Sequence, residues 1–334
     1  MPKKLKRTSI TICGLLSISA LAFADPYTLK TGCNSVNPSI PTGVYQDLGT
    51  TDQSSVAVAS IRNMDSKSIK EFFNKPFVAN GIEAPVASYP GIVRIDTYGY
   101  IIPSPEGFVG QHGTCGGTRI SENYIVTAAH CVDEIHEAVV ITYGVSNAAS
   151  TNTERGLAVV NEASCHGGYT RQGLKNDIAV IDISSPDLKD LRDNVPIVEI
   201  KDVQQIYEQH GERTTFEIAG WGLVDGNSQI IDGEEVLPIP SETLRRGTVK
   251  FVRYGPTIID TKPSGIPATS ICGGDSGGPL YWTDESGIKY LTGIVSSEST
   301  NEVDGSQSCK QPNNATFTNI WGYIGWLKSL GAID

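Results

Sequence analysis

Three short segments of this chain hold residue types that together could make a nucleophile. Thr127-Ala128-Ala129-His130-Cys131, preceded by Cys115-Gly116-Gly117-Thr118, carries an imidazole. Asn176-Asp177-Ile178-Ala179-Val180 carries a carboxylate at the head of an apolar run, and Gly273-Gly274-Asp275-Ser276-Gly277-Gly278-Pro279-Leu280 carries a hydroxyl in a glycine-rich turn. Each alone has a plain reading: a packed histidine, a turn aspartate, a tight turn. Together they answer three chemical needs. A serine hydroxyl is a weak nucleophile at neutral pH until a base takes its proton. The base needs an orienting carboxylate, and the oxyanion that forms needs backbone N–H donors.

Chain order separates the ways of building such a set. The run Gly274-Asp275-Ser276-Gly277-Gly278 also fits G-x-S-x-G, but that hydrolase pattern places its histidine after the serine, and the last histidine here is His210. An aspartate ahead of His130 is permitted by the sequence, with no local motif to support it. The order His130, Asp177, Ser276 is the arrangement that the local motifs support.

The surrounding chain reads as an exported globular protein. Lys3, Lys4, Lys6 and Arg7 precede an apolar run from Ile10 to Phe23 that ends Ala22-Phe23-Ala24, so residues 1–24 read as a signal peptide cleaved before Asp25. A lipid anchor on Cys13 is disfavoured by the bulky Ile12 before it. The run is short for a bilayer span, and no later stretch reaches about 18 apolar residues, so no membrane partner is expected. The 334 residues carry 26 basic and 37 acidic side chains, a net −11 that becomes −15 when the four leader bases are removed. An acidic surface repels phosphate backbones, so nucleic acid is not an expected partner either.

Residues 25–77 are rich in Ser, Thr, Asn and Pro, offer one short amphipathic segment at Ser66 to Phe73, and read as a pro-segment. From Val78 onward β-branched or alternating runs recur between turns, at 91–95, 124–127, 138–142, 177–182, 216–219, 248–252 and 290–295. Helical periodicity is scarce. Its best instance is Ile320–Leu330, where Ile320, Tyr323, Ile324 and Leu327 share a face and Gly331 stands at the C-cap. An all-β fold of antiparallel sandwiches or barrels follows. The exported chain keeps six cysteines, Cys33, Cys115, Cys131, Cys165, Cys272 and Cys309, an even count that favours three disulfides. No C-x-x-C or paired Cys/His spacing occurs, so neither a metal nor any other cofactor is expected.

From about Val78 to the C-terminus the chain resembles the trypsin/chymotrypsin family of serine endopeptidases. The resemblance is carried by the histidine, aspartate and serine blocks, Ala219-Gly220-Trp221-Gly222, Gly293-Ile294-Val295-Ser296 and a final helix with Trp326. It implies two six-stranded antiparallel β-barrels, about 78–190 and 191–334, with the active site between them and a C-terminal helix. It also implies His130 as general base and acid, Asp177 as its orienting carboxylate, and Ser276 as nucleophile, with the N–H groups of Gly274 and Ser276 as oxyanion hole. Protein or peptide substrates, protein inhibitors and a monomer are the expected company. The short basic leader and the lack of an accessory module point to a bacterial type, secreted outside the cell or into a periplasm.

The same resemblance implies the disulfides Cys115–Cys131 and Cys272–Cys309. It leaves Cys33 and Cys165 to tether the pro-segment, or else as two unpaired or exchanged thiols. Activation in this family frees an aliphatic N-terminus that pairs with the acid beside the nucleophile, here Asp275. Phe77-Val78-Ala79-Asn80-Gly81-Ile82-Glu83-Ala84-Pro85 resembles that start, with Val78 the new terminus and Phe77, not Arg or Lys, before the cut. The primary pocket's base is Ser270, which is uncharged, so Phe, Tyr or Leu is the first expectation for the cleaved residue. Ser296 and Glu298 line that pocket; Glu298 stands where the family has glycine and opens a basic specificity as the alternative, small residues being a third. A self-cut at Phe77-Val78 follows from the first expectation. Tyr143 to Arg155 holds one acid, Glu154, so the family's calcium loop is not expected, and His112, His136, His166 and His210 read as surface residues. A non-catalytic relative acting as a binding protein, or an adhesion role, remain the competing classes.

Overall fold

In a computed structural model of the chain, residues 43–44, 81–104, 107–133, 138–148, 156–160, 162–223, 229–231, 234–236, 241–298 and 313–334 are described. The leader, the cleavage pair Phe77-Val78, Cys33 and Cys309 lie outside these residues, as does His136.

Among the described residues seventeen strands follow one another, nine of them before the first α-helix. These nine are β1 (Gly43–Val44), β2 (Ile82–Glu83), β3 (Ile92–Ser104), β4 (Gly107–Arg119), β5 (Tyr124–Thr127), β6 (Ala138–Tyr143), β7 (Gly156–Val160), β8 (Ala163–Cys165) and β9 (Ala179–Asp182). Helices α1 (Lys189–Asn194) and α2 (Val203–His210) come next, and then β10 (Thr215–Gly220), β11 (Gln229–Ile231), β12 (Glu234–Val236), β13 (Arg245–Tyr254), β14 (Ile258–Pro263), β15 (Pro279–Thr283), β16 (Lys289–Glu298) and β17 (Ala315–Asn319). The chain ends in a 3-10 turn, Ile320–Tyr323, running into α3 (Ile324–Ser329).

The fold is mostly β, as the alternating runs predict. The C-terminal sheet closes on itself: β10 pairs with both β15 and β13, so β10-β15-β16-β17-β14-β13 is a six-stranded barrel, with β2 added outside β13. The N-terminal sheet, in the order β1-β7-β6-β3-β4-β5-β9-β8, has no edge-to-edge pairing among the described residues and is a half-barrel. The expected pair of antiparallel β-barrels is thus present as one closed barrel and one half-barrel, followed by a C-terminal helix.

Period-two alternation explains how the halves meet. In β5 and β9, Ile125, Ala179 and Ile181 face the N-terminal core with Val93, Ile95 and Ile141. Their neighbours Val126, Ile178 and Val180 turn the other way, into a second cluster that includes Trp221, Tyr281, Leu291, Ile294 and the helix residues Ile320, Tyr323 and Leu327. The interface between halves is therefore an apolar core, not a wet seam. A third cluster, with Phe216, Val249, Ile259, Leu280 and Phe317, fills the closed barrel. Across the interface, Arg94 clasps Asp96 at 2.8 Å and donates from Nη1 to the Ser241 carbonyl at 2.9 Å.

The terminal helix ends as expected. Gly331 has φ +67, and the N–H groups of Gly331 and Ala332 reach Lys328 O and Leu327 O at 3.0 and 2.9 Å, the paired bonds that close a helix through a left-handed residue. Helix α2 has no counterpart in the sequence reading. It is eight residues long, buries Val203 and Ile206, and is capped by the Asp202 carboxylate accepting Gln204 N–H at 2.8 Å. Its apolar face is Val203, Ile206 and Tyr207, a spacing of i, i+3 and i+4 that is not repeated beyond a single turn.

Candidate active site

His130 lies in a single 3-10 turn, Ala129–Cys131, that leaves β5. Ala128 and Ala129 are fully buried, and a disulfide from Cys131 to Cys115 on β4 holds the turn's far side, with Cα atoms 6.3 Å apart. Those two sulfurs lie near the imidazole, yet as a disulfide they are not thiolate ligands, so the cluster has no metal-binding chemistry. Cys165 and Cys272 are also disulfide-bonded. Cys33 and Cys309, their expected partners, lie outside the described residues.

Asp177 sits just ahead of β9, 1% exposed, and meets the histidine twice. Its Oδ1 accepts the His130 backbone N–H at 3.0 Å and its Oδ2 lies 2.8 Å from His130 Nδ1. The first bond fixes the turn, the second the ring. Ser296, expected in the substrate pocket, donates from Oγ to Asp177 Oδ2 at 2.6 Å, and Thr318 Oγ1 donates to the Asp177 carbonyl at 2.7 Å. Asn176, at φ +51, is held by the Tyr323 hydroxyl at 2.9 Å. Ser296, Thr318 and Tyr323 all come from the C-terminal half, so the carboxylate of one half is bonded by the other. No local motif signals Thr318 or Tyr323, which lie more than 140 residues downstream.

The serine turn is packed onto the histidine segment. Gly116 N–H donates to the Ser276 carbonyl at 2.7 Å. An added Cβ on Gly277 would fall 2.2 Å from Thr127 Oγ1 and 2.9 Å from Ala128 N. Glycine is required on both counts, because φ at Gly277 is +73 and no side chain fits. The turn thus rests two residues from His130. Neither Gly274 N–H, at φ +91, nor Ser276 N–H has a hydrogen-bond partner among the described residues.

Asp275 points inward, 2% exposed, accepting Gly222 N–H at 2.8 Å and Cys272 N–H at 2.9 Å. Burial pushes its carboxyl up to about 7; the two backbone bonds oppose that shift and the charge of Glu298 adds to it. Ser270 is 1% exposed, its hydroxyl donating to Ile271 O and accepting Asn313 N–H, each at 3.3 Å. Glu298, at the end of β16, is half-buried, with its carboxyl pushed up by burial and no hydrogen-bond or ion-pair partner among the described residues.

Two histidines depart from the surface reading. His166 is half-buried edge-on against Tyr323 and Trp326, with centroids 5.2 and 5.4 Å away, and burial lowers its pKa. His210 is half-buried against Trp282 at 5.5 Å. Both lie beside aromatic residues distant in sequence, which local context does not reveal.

Residues 102–327 match the family model described as Trypsin. The chain is 30% identical over 219 residues to chymotrypsin-C of Mus musculus, covering 64% of this chain and 77% of that one. It is 28% identical over 229 residues to chymotrypsin of Phaedon cochleariae, covering 65% and 71%, and 30% identical over 225 residues to transmembrane protease serine 11C of Mus musculus, covering 64% of this chain but 47% of that one. In shape it is similar to a solved structure titled HL collagenase, with TM-score 0.53 and 20% identity over 76% of this chain and 99% of that one. A family model that spans both halves, relatives up to 30% identical over more than 200 residues, and a barrel architecture of the same kind converge: the chain belongs to the trypsin family and is a serine endopeptidase of the trypsin/chymotrypsin type.

Proposed function

We propose that this protein is a secreted zymogen whose mature form cleaves protein substrates through His130, Asp177 and Ser276. The observation that carries the reading is the run of bonds Ser296–Asp177–His130, at 2.6 and 2.8 Å, set against the turn that bears Ser276. With Nδ1–H held on Asp177, the free Nε2 is the basic nitrogen. It takes the Ser276 proton as Oγ adds to the scissile carbonyl, then returns it to the leaving amine; water repeats the cycle on the acyl-enzyme. The Asp177 carboxylate stabilises the imidazolium. The unspent N–H groups of Gly274 and Ser276 receive the oxyanion, each such donor being worth about 3 to 4 kcal/mol of transition-state stabilisation.

Secretion rests on the leader-like residues 1–24, and zymogen character on the 25–77 segment with Val78 as the terminus that would pair with Asp275. A carboxylate buried with no cation beside it among the described residues favours that pairing, since an ionised buried group is costly until a charge meets it. For the cleaved residue the uncharged Ser270 favours Phe, Tyr or Leu. The unpaired Glu298 carboxylate favours a basic residue as the second reading. Among the described residues no helix is long and apolar enough to cross a membrane.

The test is to treat secreted wild-type protein and a Ser276→Ala variant with a serine-directed phosphonate, determine both N-termini, and assay Phe, Leu and Arg reporter peptides. Labelling at Ser276, a Val78 terminus in wild type alone and Phe cleavage support zymogen, pocket and self-cutting together. A Val78 terminus in both proteins assigns activation to another protease. An Arg preference selects the Glu298 reading, an unlabelled wild type that still begins at Asp25 points to an external activator or a binding protein, and wild type that begins at Val78 yet takes no label overturns the catalytic assignment.

A further inference from the structure

We infer that Asp133 is a positioning residue that locks the His130 turn onto the loop carrying Asp177, so that the two segments hold each other by exchanged carboxylates. Asp133 lies three residues beyond His130 and is 6% exposed. Its Oδ2 accepts the Tyr169 hydroxyl at 2.8 Å and its Oδ1 accepts Arg171 Nη1 at 3.0 Å. Both donors stand in the loop between β8 and β9, the loop that ends in Asp177. Asp177 sends its carboxylate the other way, onto His130 N–H and Nδ1 at 3.0 and 2.8 Å. Two carboxylates thus cross between the same two segments in opposite directions.

The loop has its own internal frame. Thr170 and Lys175 exchange backbone bonds at 3.1 and 3.2 Å, and Asn176 Nδ2 donates to Gly168 O at 2.7 Å. A push on Tyr169 or Arg171 is therefore transmitted to Asn176 and Asp177. Tyr169 packs its ring on the N-terminal core. Burial first, then its bond to Asp133 and the charges of Asp133 and Asp177, raises the Tyr169 pKa, so the hydroxyl remains a donor across the working pH range. The clasp acts on alignment, not on chemistry: Asp133 touches no reacting atom, and its contribution is to hold the imidazole at the angle at which Nε2 faces the serine.

This inference rests on the proposed triad, and the experiment separates the two. Wild type, Asp133→Ala, Tyr169→Phe, Arg171→Ala and the Asp133→Ala/Tyr169→Phe pair are prepared as full-length chains, activated, and titrated with the phosphonate so that rates are expressed per reactive site. A misplacement of order 1 Å can cost up to about 100-fold in rate. Asp133→Ala is expected to lose about 10- to 100-fold in kcat with KM within about twofold, and the double variant to be no slower than Asp133→Ala alone, as for residues acting as a unit. Should Asp133→Ala not fold, Tyr169→Phe and Arg171→Ala each remove one bond and are expected to lower kcat about three- to tenfold. Loss of stability alone leaves kcat per titrated site unchanged, so an unchanged kcat in the folded variants overturns the inference while the triad stands. Wild type that takes no label overturns the triad and the inference together.

Discussion

Gly116 joins stability and catalysis in one position. It lies on β4, donates its N–H to the Ser276 carbonyl at 2.7 Å, and faces the backbone of the serine turn. A Cβ built there would stand 2.7 Å from Gly278 Cα and 3.0 Å from Gly278 N, whereas ordinary contact begins at 3.4 Å. Both obstacles are backbone, which has no rotamer to move. Gly116→Ala therefore requires β4 and the serine turn to part by about 0.7 Å, the shortfall of the closer contact. Overpacking of this kind costs about 1 to 3 kcal/mol, or about 2 to 12 °C in Tm for a domain of this size. The displacement also moves Ser276 relative to His130, so kcat is expected to fall by about 10- to 100-fold. The assay is thermal unfolding of Gly116→Ala in the Ser276→Ala background, where self-cleavage is removed, together with kcat per titrated site in the active background. Gly325→Ala serves as the control: nothing lies within 4 Å of its added Cβ, the residue is in α3, and alanine there is expected to stabilise by about 0.5 to 1 kcal/mol. Wild-type kcat and Tm in Gly116→Ala would show that the serine turn yields without consequence and refute the reasoning.

Other expected outcomes follow from individual contacts. Asp96→Ala strands the buried Arg94 guanidinium, 8% exposed, and is expected to destabilise by about 3 to 5 kcal/mol, read from the urea midpoint. An unchanged midpoint would mean that Arg94 finds water or another partner. Ser296→Ala removes a bond to a buried carboxylate, worth about 1.5 to 3 kcal/mol; kcat is expected to drop by about one to two orders of magnitude with KM nearly unchanged. A rise in KM alone would confine Ser296 to substrate binding. The uncleaved Ser276→Ala chain should lose stability as pH rises from about 4 to 7, because the folded Asp275 carboxyl, with its pKa at about 7 against an ordinary 3.8, retains a proton that the unfolded chain releases. Glu298, also raised, acts in the same sense, while His166, lowered, opposes it between its folded value and 6.5. Chain cut at Val78 should lose this dependence, and identical pH curves for cut and uncut protein would exclude pairing of the new terminus with Asp275.

The local patterns located seven of the seventeen described strands. The run at 124–127 is β5 without a residue's change, and the run at 138–142 is β6 less its last residue, because β-branched residues on a half-buried surface alternate with the pleat whatever they pack against. The Ile320–Leu330 period and Gly331 foretold the terminal helix and its end, since both the apolar stripe and the left-handed cap are written within one turn of the chain. The histidine, aspartate and serine blocks were legible for the same reason: residue type, order and flanking glycines are local properties.

What tertiary structure alone decided is which distant groups meet. That Ser296 bonds Asp177 instead of only lining a pocket, that Thr318 and Tyr323 reach back to the Asp177 loop, and that Asp133 takes Tyr169 and Arg171 are consequences of how β5, β9 and β16 are brought together. Sequence patterning records which face of an element is buried and where a turn falls, as both are set by neighbours along the chain; the partner across a hydrogen bond is set by packing between elements more than a hundred residues apart, and no periodicity encodes it.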